Sequence, residues 1–246
     1  MPVIAAAIAI PTVAAGAVVA YGTFAPRSSL WCPVVSRGPR DAPRIALTFD
    51  DGPWPDSTPA ILGALAEARA TATFFVIGRN AARWPDLLAR IAGQGHILAN
   101  HTFDHDHFGV FRRGRYWSDQ LRRTDDLIAT AAGAPPRFLR PPMGFKTGHL
   151  AAAARAAGHT LVSWTRRARD GLRTTPERIL ARLAPAQPGD ILALHDGVEP
   201  NTRRDPRPTI DALPGLLRAL SERGLEPVGL DRLLALPALR TESPVH

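Results

Sequence analysis

The stretch RIALTFDDGP, residues 44–53, decides how the chain folds. Ile45 to Phe49 make a run of apolar and β-branched residues with no helical period, too short for a helix of its own. Such a run fits a strand covered on both faces, as in a parallel sheet. It ends in two adjacent carboxylates, Asp50 and Asp51, and Gly52-Pro53 then imposes a sharp exit. Neighbouring carboxylates are costly to bury unless a cation neutralises them. Successive strand side chains point to opposite faces, so one can bind a metal while the other stays free as a base. Taken alone, the same residues also describe a solvated Asp-Asp-Gly turn.

Moving outward, the pattern recurs. TATFFVIG (71–78), HILAN (96–100), RFLRPP (137–142), TLVSW (160–164), DILALHD (190–196) and LEPVGL (225–230) are further strand-like runs. Segments of helical spacing separate them, among them TPAILGALAEARA (58–70) and PDLLARIAGQG (85–95), and Gly93, Gly95, Gly158 and Gly224 fall where helices should end. Repeated βα units predict a parallel α/β domain. Asp50 and Asp51 end the first strand, and Asn100 and His101 the third. Arg140 lies late in the fourth, Trp164 ends the fifth, and His195 and Asp196 end the sixth. Strand C-termini converge on one mouth in a barrel, whereas an open sheet gathers its site at a single switch point. The expected fold is therefore α/β, a distorted, incomplete (β/α)7 barrel forming a single catalytic domain. No Gly-rich phosphate loop opens a helix, so no nucleotide cofactor is expected.

The chain has 246 residues, enough for one sizeable domain, with 45% hydrophobic residues and a net charge of +8. Its basic residues are nearly all Arg, with Lys146 the sole Lys, and they are scattered. The net charge allows an anionic partner such as cell wall or lipid head groups, and the scattering makes nucleic acid an unexpected one. Cys32 is the only cysteine, which excludes an internal disulfide and a cysteine-rich zinc site. Any metal must then be held by His and carboxylate, and NHTFDHDH (100–107) supplies both. His101 and His105 stand at i, i+4, the spacing that places two imidazoles on one face of a helical turn and lets both reach one ion. Two His and one Asp leave coordination positions open for water. The pair gains weight from lying at one strand end with Asp51 at another. His107 falls out of phase and reads as solvent-facing or near substrate. His96 begins a strand, Asp104 and Asp106 read as loop and cap residues, and Tyr116 and Trp117 as a helix start.

TFDDGP, NHTFDH, RPPMG, a Trp followed by Asp170, and LALHD, in that order, resemble the polysaccharide deacetylase family, the NodB-homology group or carbohydrate esterase family 4. The likeness covers about residues 44–235. It implies that Asp51, His101 and His105 hold a metal, usually Zn2+, or another divalent ion such as Co2+. It implies Asp50 as general base, steadied by Arg140, and His195 as general acid, oriented and tuned by Asp170. Pro142 and Met143 would belong to the substrate and oxyanion side, and Trp164 either lines the groove with them or packs the barrel mouth. Met143 stands where the family has a Tyr whose backbone N–H helps hold the oxyanion, which a Met still supplies. Gly171 replaces the Trp that usually follows the fourth-motif Asp and removes part of one groove wall.

The residues suit amide hydrolysis independently. A metal lowers the pKa of its water and polarises an acetyl carbonyl, Asp50 can take the water's proton, and His195 can protonate the departing nitrogen. The expected activity is metal-dependent removal of N-acetyl groups from N-acetylglucosamine-containing polysaccharide, peptidoglycan or chitin-like glycan. The alternatives are a deformylase or deacetylase of a lipid-linked amino sugar, and a non-catalytic glycan-binding relative, which would need no base and acid.

From Val3 to Tyr21 no residue is charged, a length that as a helix approaches the ~30 Å of a bilayer's hydrocarbon core. Residues 1–24 read as a signal or membrane-anchor segment, 25–43 as a Pro-rich linker, 44–236 as the catalytic domain and 237–246 as a tail. Expected partners are the glycan and, through the N-terminal segment, the membrane, with no protein partner. The domain is expected outside the cytoplasm, although Arg27, Arg37 and Arg40 after the apolar run point the other way by the positive-inside rule.

Overall fold

The computed structural model describes residues 15–240 except 201 and 203. Among the described residues nine strands form one sheet: β1 (Val34–Val35), β2 (Arg44–Asp50), β3 (Thr73–Val76), β4 (Ile97–Asn100), β5 (Phe138–Leu139), β6 (Thr160–Val162), β7 (Arg166–Arg167), β8 (Ile191–His195) and β9 (Glu226–Val228). Their order is β1-β6-β5-β4-β3-β2-β8-β7, with β9 pairing the start of β2, and every strand pair is parallel. The chain leaving β6 runs through residues 163–165 into β7, which pairs β8, and Thr165 N–H donates to Ile191 O at 2.9 Å. The sheet thus curls round on itself as an incomplete barrel. All seven expected strands form; β1 and β7, two residues each, were not expected.

Helices are α1 (residues 15–24), α2 (Thr58–Glu67), α3 (Gly78–Arg83), α4 (Pro85–Gly93), α5 (Gly114–Ala132), α6 (Gly148–Ala156), α7 (Pro176–Leu183), α8 (Arg207–Glu222) and α9 (Leu230–Leu234). Pro59 and Pro85 stand in first turns, where the missing N–H costs no helical bond. Gly95, Gly158 and Gly224 follow helices in left-handed conformation, while Gly93 is the last helical residue of α4. Tyr116 and Trp117 lie in the first turn of α5, as expected.

The two-residue period of the strands divides the core. Ile45, Leu47, Phe49, Phe74, Val76, Leu98, Leu192 and Leu194 pack outward with Ile61 and Leu65 of α2 and Leu213, Leu216 and Leu220 of α8. Ala46, Phe75, Ala99, Phe138, Val162 and Ile191 fill the inner side. Continuing the alternation puts Asp50, His101, Arg140 and His195 on the inner side at the strand C-termini. Asp50 and His195 are direct register partners of β2 and β8.

Residues 25–43, expected as a linker, pack against the domain. Strand β1 pairs β6, Cys32 is buried beside Leu139, Leu150 and Leu161, and Lys146 Nζ donates to the carbonyls of Ala25 (2.9 Å) and Pro26 (3.2 Å). Two β-branched residues amid Pro, Ser and Arg are too short a run for periodicity to reveal. Residues 237–240 are also held, Arg137 N–H donating to Ala238 O at 2.8 Å, whereas 241–246 fall outside the described residues. Most of the uncharged stretch 3–21 likewise lies outside them. Among the described residues no helix is long and apolar enough to cross a membrane.

Candidate active site

Asp50 ends β2 and is held from inside the barrel. Arg140 follows β5, and its fully buried guanidinium donates to Asp50 Oδ1 at 2.6 Å, to Thr48 Oγ1 at 2.9 Å and to Ser163 O at 3.1 Å. Burial makes the guanidinium less basic, and the Asp50 carboxylate works against that. Its central carbon sits 4.1 Å from the Phe75 ring centre, so the cation is neutralised on one side and stacked on another.

Strict alternation would send Asp51 toward the helices. A φ of 73° turns it into the same cavity as Asp50 instead. Two glycines permit this turn. A Cβ on Gly197 would lie 2.0 Å from Asp51 O, and one on Gly52 would lie 2.2 Å from Asp196 Oδ2. Asp196 itself faces away from the cavity, accepting from Thr58 Oγ1 at 2.6 Å, and burial pushes its carboxyl up to about 7.

His101 and His105 meet as expected, but not on a helix. Residues 101–107 form an irregular loop after β4, in which Thr102 (φ 65°) and His105 (φ 52°) adopt left-handed conformations. Asn100 pins this loop: its Oδ1 accepts from Thr102 N–H at 2.7 Å, and its Nδ2 donates to Asp125 Oδ1 at 2.7 Å. The imidazole centres lie 4.8 Å apart, and both Nε2 atoms are 3.5 Å from Asp51 Oδ1. His101 Nδ1 lies 2.6 Å from the Arg140 carbonyl, which only accepts, so the neutral ring keeps its proton there and turns the Nε2 lone pair to Asp51.

The chemistry of this cluster fits a metal. Asp51 Oδ1 is buried with no hydrogen-bond partner, facing two imidazole nitrogens. A carboxylate oxygen and two imidazoles suit Zn2+ and similar divalent ions. Burial alone would raise Asp51, yet His105, His101 and His195 together hold its carboxyl well below the usual range. Burial takes His105 down to about 3 against the pull of Asp51. His101 ends raised: burial opposes this, but the neighbouring carboxylates of Asp51 and Asp50 prevail.

His195, at the end of β8, faces the same centre, its Nε2 3.9 Å from Asp51 Oδ2. Its Nδ1 donates to Asp170 Oδ1 at 2.7 Å, and its backbone N–H to Asp170 Oδ2 at 3.0 Å. Burial disfavours the imidazolium, but Asp170 more than compensates and raises His195 to about 9. Asp170 is itself brought down to about 2, burial notwithstanding, by His195, Arg204 and Thr209. Arg204 and Thr209 escaped the sequence reading, since nothing in their spacing ties them to Asp170. They donate to Asp170 Oδ2 at 3.1 and 2.7 Å.

Asp50, Asp51, His101, His105, His195 and Arg204 line one cavity of roughly 510 Å3. Met143 and Trp164 stand on its wall, but the proline facing it is Pro141; Pro142 is buried behind. Met143 adopts φ 55° and is 47% exposed, and its N–H donates to no backbone carbonyl among the described residues. Gly171 and the exposed Leu172 occupy the wall where a Trp was missed. His96 is structural, its Nδ1 accepting from Ala72 N–H at 3.3 Å, and Asp104 and Asp106 bind Gln120 and the Phe108 N–H in the loop.

Residues 37–162 match the family described as Polysaccharide deacetylase. The chitooligosaccharide deacetylase of Bradyrhizobium sp. (strain ANU 289) is 37% identical over 191 residues, covering 74% of this chain and 86% of the relative. The chain belongs to the polysaccharide deacetylase family. Within it, a peptidoglycan-N-acetylglucosamine deacetylase of Bacillus cereus (strain ATCC 14579) is 30% identical over 203 residues, covering 82% of this chain and 70% of the relative. The crystal structure of the Bc1960 peptidoglycan N-acetylglucosamine deacetylase, in complex with 4-naphthalen-1-yl-N-oxidanyl-benzamide, superposes with a TM-score of 0.77 at 28% identity, covering 84% of this chain and 95% of that one.

Proposed function

We propose that this member of the family is a metal-dependent deacetylase that hydrolyses N-acetyl groups of N-acetylglucosamine-containing glycan, either peptidoglycan or a chitin-like polymer. The observation that carries the reading is Asp51: one buried oxygen faces two imidazole nitrogens at 3.5 Å, and the other faces His195 Nε2 at 3.9 Å. Asp51, His101 and His105 would hold the ion, Zn2+ or another divalent cation such as Co2+. That ion supplies a water of lowered pKa and polarises the acetyl carbonyl.

The chain's own groups do the rest. Asp50, fixed by Arg140, takes the proton of the attacking water. The Met143 N–H donates to the carbonyl oxygen as negative charge develops on it. His195, kept as imidazolium by Asp170, gives its Nε2 proton to the leaving nitrogen, so the products are acetate and a free amino sugar. Relatives named for chitooligosaccharide and for peptidoglycan support both glycan classes as substrates. Acetate release from chitooligosaccharides and from peptidoglycan by the Zn2+-supplemented protein tests this reading. No acetate from either class would overturn it.

The uncharged stretch 3–21 supports an exported or membrane-associated chain whose domain lies outside the cytoplasm. Digestion of the domain by protease added to intact cells is the expected result; protection until lysis would contradict it.

A further inference from the structure

Glu199 lies four residues beyond His195, with no strand or helix to mark it. Its Oε2 is 2.9 Å from His107 Nε2 and 3.7 Å from Nδ1 of His105, the ring whose Nε2 faces Asp51. His105 Nδ1 is buried and makes no hydrogen bond. The rings of His101, His105 and His107 step outward with centres 4.8 and 5.2 Å apart, a ladder from Asp51 to the rim of the cavity. The segment bearing Glu199 is fixed to the Asp51 turn, because Asn80 Nδ2 donates to both Asp51 O (2.7 Å) and Val198 O (3.1 Å).

We propose that Glu199 is the outer carboxylate of the metal ligand His105, with His107 holding Glu199 in place; this rests on the metal-dependent reading above. To bind a cation through Nε2, the neutral His105 ring must carry its proton on Nδ1, and a buried N–H needs an acceptor. For His101 that acceptor is the Arg140 carbonyl at 2.6 Å. For His105 the carboxylate facing Nδ1 is Glu199, whose Oε2 lies 3.7 Å away and would accept the Nδ1 proton's hydrogen bond on closer approach. Such outer partners fix ring orientation, raise ligand basicity and affect metal affinity by about 10–100-fold. His107 is thus no bystander. It is a positioning residue, two hydrogen bonds from the metal ligand His105. A second ion held by His105, His107 and Glu199, whose donor atoms lie within 4.8 Å of one another, would require the bridging ring to lose its last proton, and the geometry favours the single ion.

The test is Zn2+ affinity and stoichiometry of the full metal-free chain by competition with a chelator, for wild type, Glu199→Gln, Glu199→Ala and His107→Ala. Circular dichroism of each metal-free variant confirms its fold, and the near-isosteric Gln variant keeps the test usable if the Ala variant unfolds. Expected are one ion per chain, an affinity loss of about 10–100-fold in Glu199→Ala, and smaller losses in Glu199→Gln and His107→Ala. A shifted visible spectrum of the Co2+-loaded Glu199→Ala chain should accompany the loss. Wild-type affinity in both Glu199 variants overturns the proposal alone. Two ions per chain, one of them lost in His107→Ala, replaces it with a binuclear site. Failure of the wild-type chain to bind any divalent ion overturns the metal-dependent reading as well.

Discussion

Arg140 reaches Asp50 from below: its Nη1 donates to Asp50 Oδ1 at 2.6 Å while the guanidinium has no exposed surface. The cation is committed to this carboxylate, to Thr48 Oγ1 and to Ser163 O, all on the inner side of the barrel. Asp50 therefore has a fixed position before any substrate arrives.

Removing the cation should be costly. Arg140→Ala leaves Asp50 buried without its partner, an effect worth about 3–5 kcal/mol of stability. Denaturant unfolding of the metal-free protein measures it, and a loss below about 1 kcal/mol would show that the pair does not hold the barrel interior together.

The Asp170–His195 pair should set the alkaline limb of the rate profile. His195 is raised from 6.5 to about 9, so it holds its proton until pH rises through about 9, and activity should fall only there. Asp170→Asn removes the carboxylate that favours the imidazolium, so the limb should move to lower pH. A pH–rate profile of this variant with an unmoved limb would take His195 out of the role of proton donor.

Metal uptake should release a proton. His101 is raised in the metal-free cluster by Asp51 and Asp50 against its burial, and the ligand must be neutral to bind. Zn2+ affinity should therefore fall as the pH is lowered, with protons released on binding. Calorimetry in two buffers of different ionisation enthalpy reads this directly, and an identical heat in both would contradict it.

Much of this was legible in the sequence, for a physical reason. RIALTFD coincides with β2 because a buried parallel strand needs an unbroken apolar run, and strand polarity then carries Asp50, His101, Arg140 and His195 to one mouth. The i, i+4 spacing of His101 and His105 pointed to two rings that do converge on Asp51, but through the wrong geometry, since Thr102 and His105 bend the loop by left-handed conformations that no periodicity encodes. Strand β7 is two arginines, and Glu199 and Arg204 sit on a loop, so their roles appear only when the chain is folded.

Gly171, on the cavity wall, should influence substrate preference. A Cβ there meets only His195, at 3.8 Å from Cε1 and 4.0 Å from Nε2, which is ordinary contact. Gly171→Trp should fold normally and rebuild the wall of the cavity, lowering KM for chitooligosaccharides several-fold with little change in kcat. An unchanged KM would remove this wall from substrate binding.

The most direct test is acetate release from N-acetylated oligosaccharide by the Zn2+-loaded protein, with and without chelator, beside Asp50→Asn. The expected result is release abolished by chelator and restored by Zn2+, and slowed about 100- to 10,000-fold in Asp50→Asn with Zn2+ affinity and melting temperature retained. Release that persists under chelation, or an Asp50→Asn chain as fast as wild type, would contradict a metal-dependent deacetylase with Asp50 as its base.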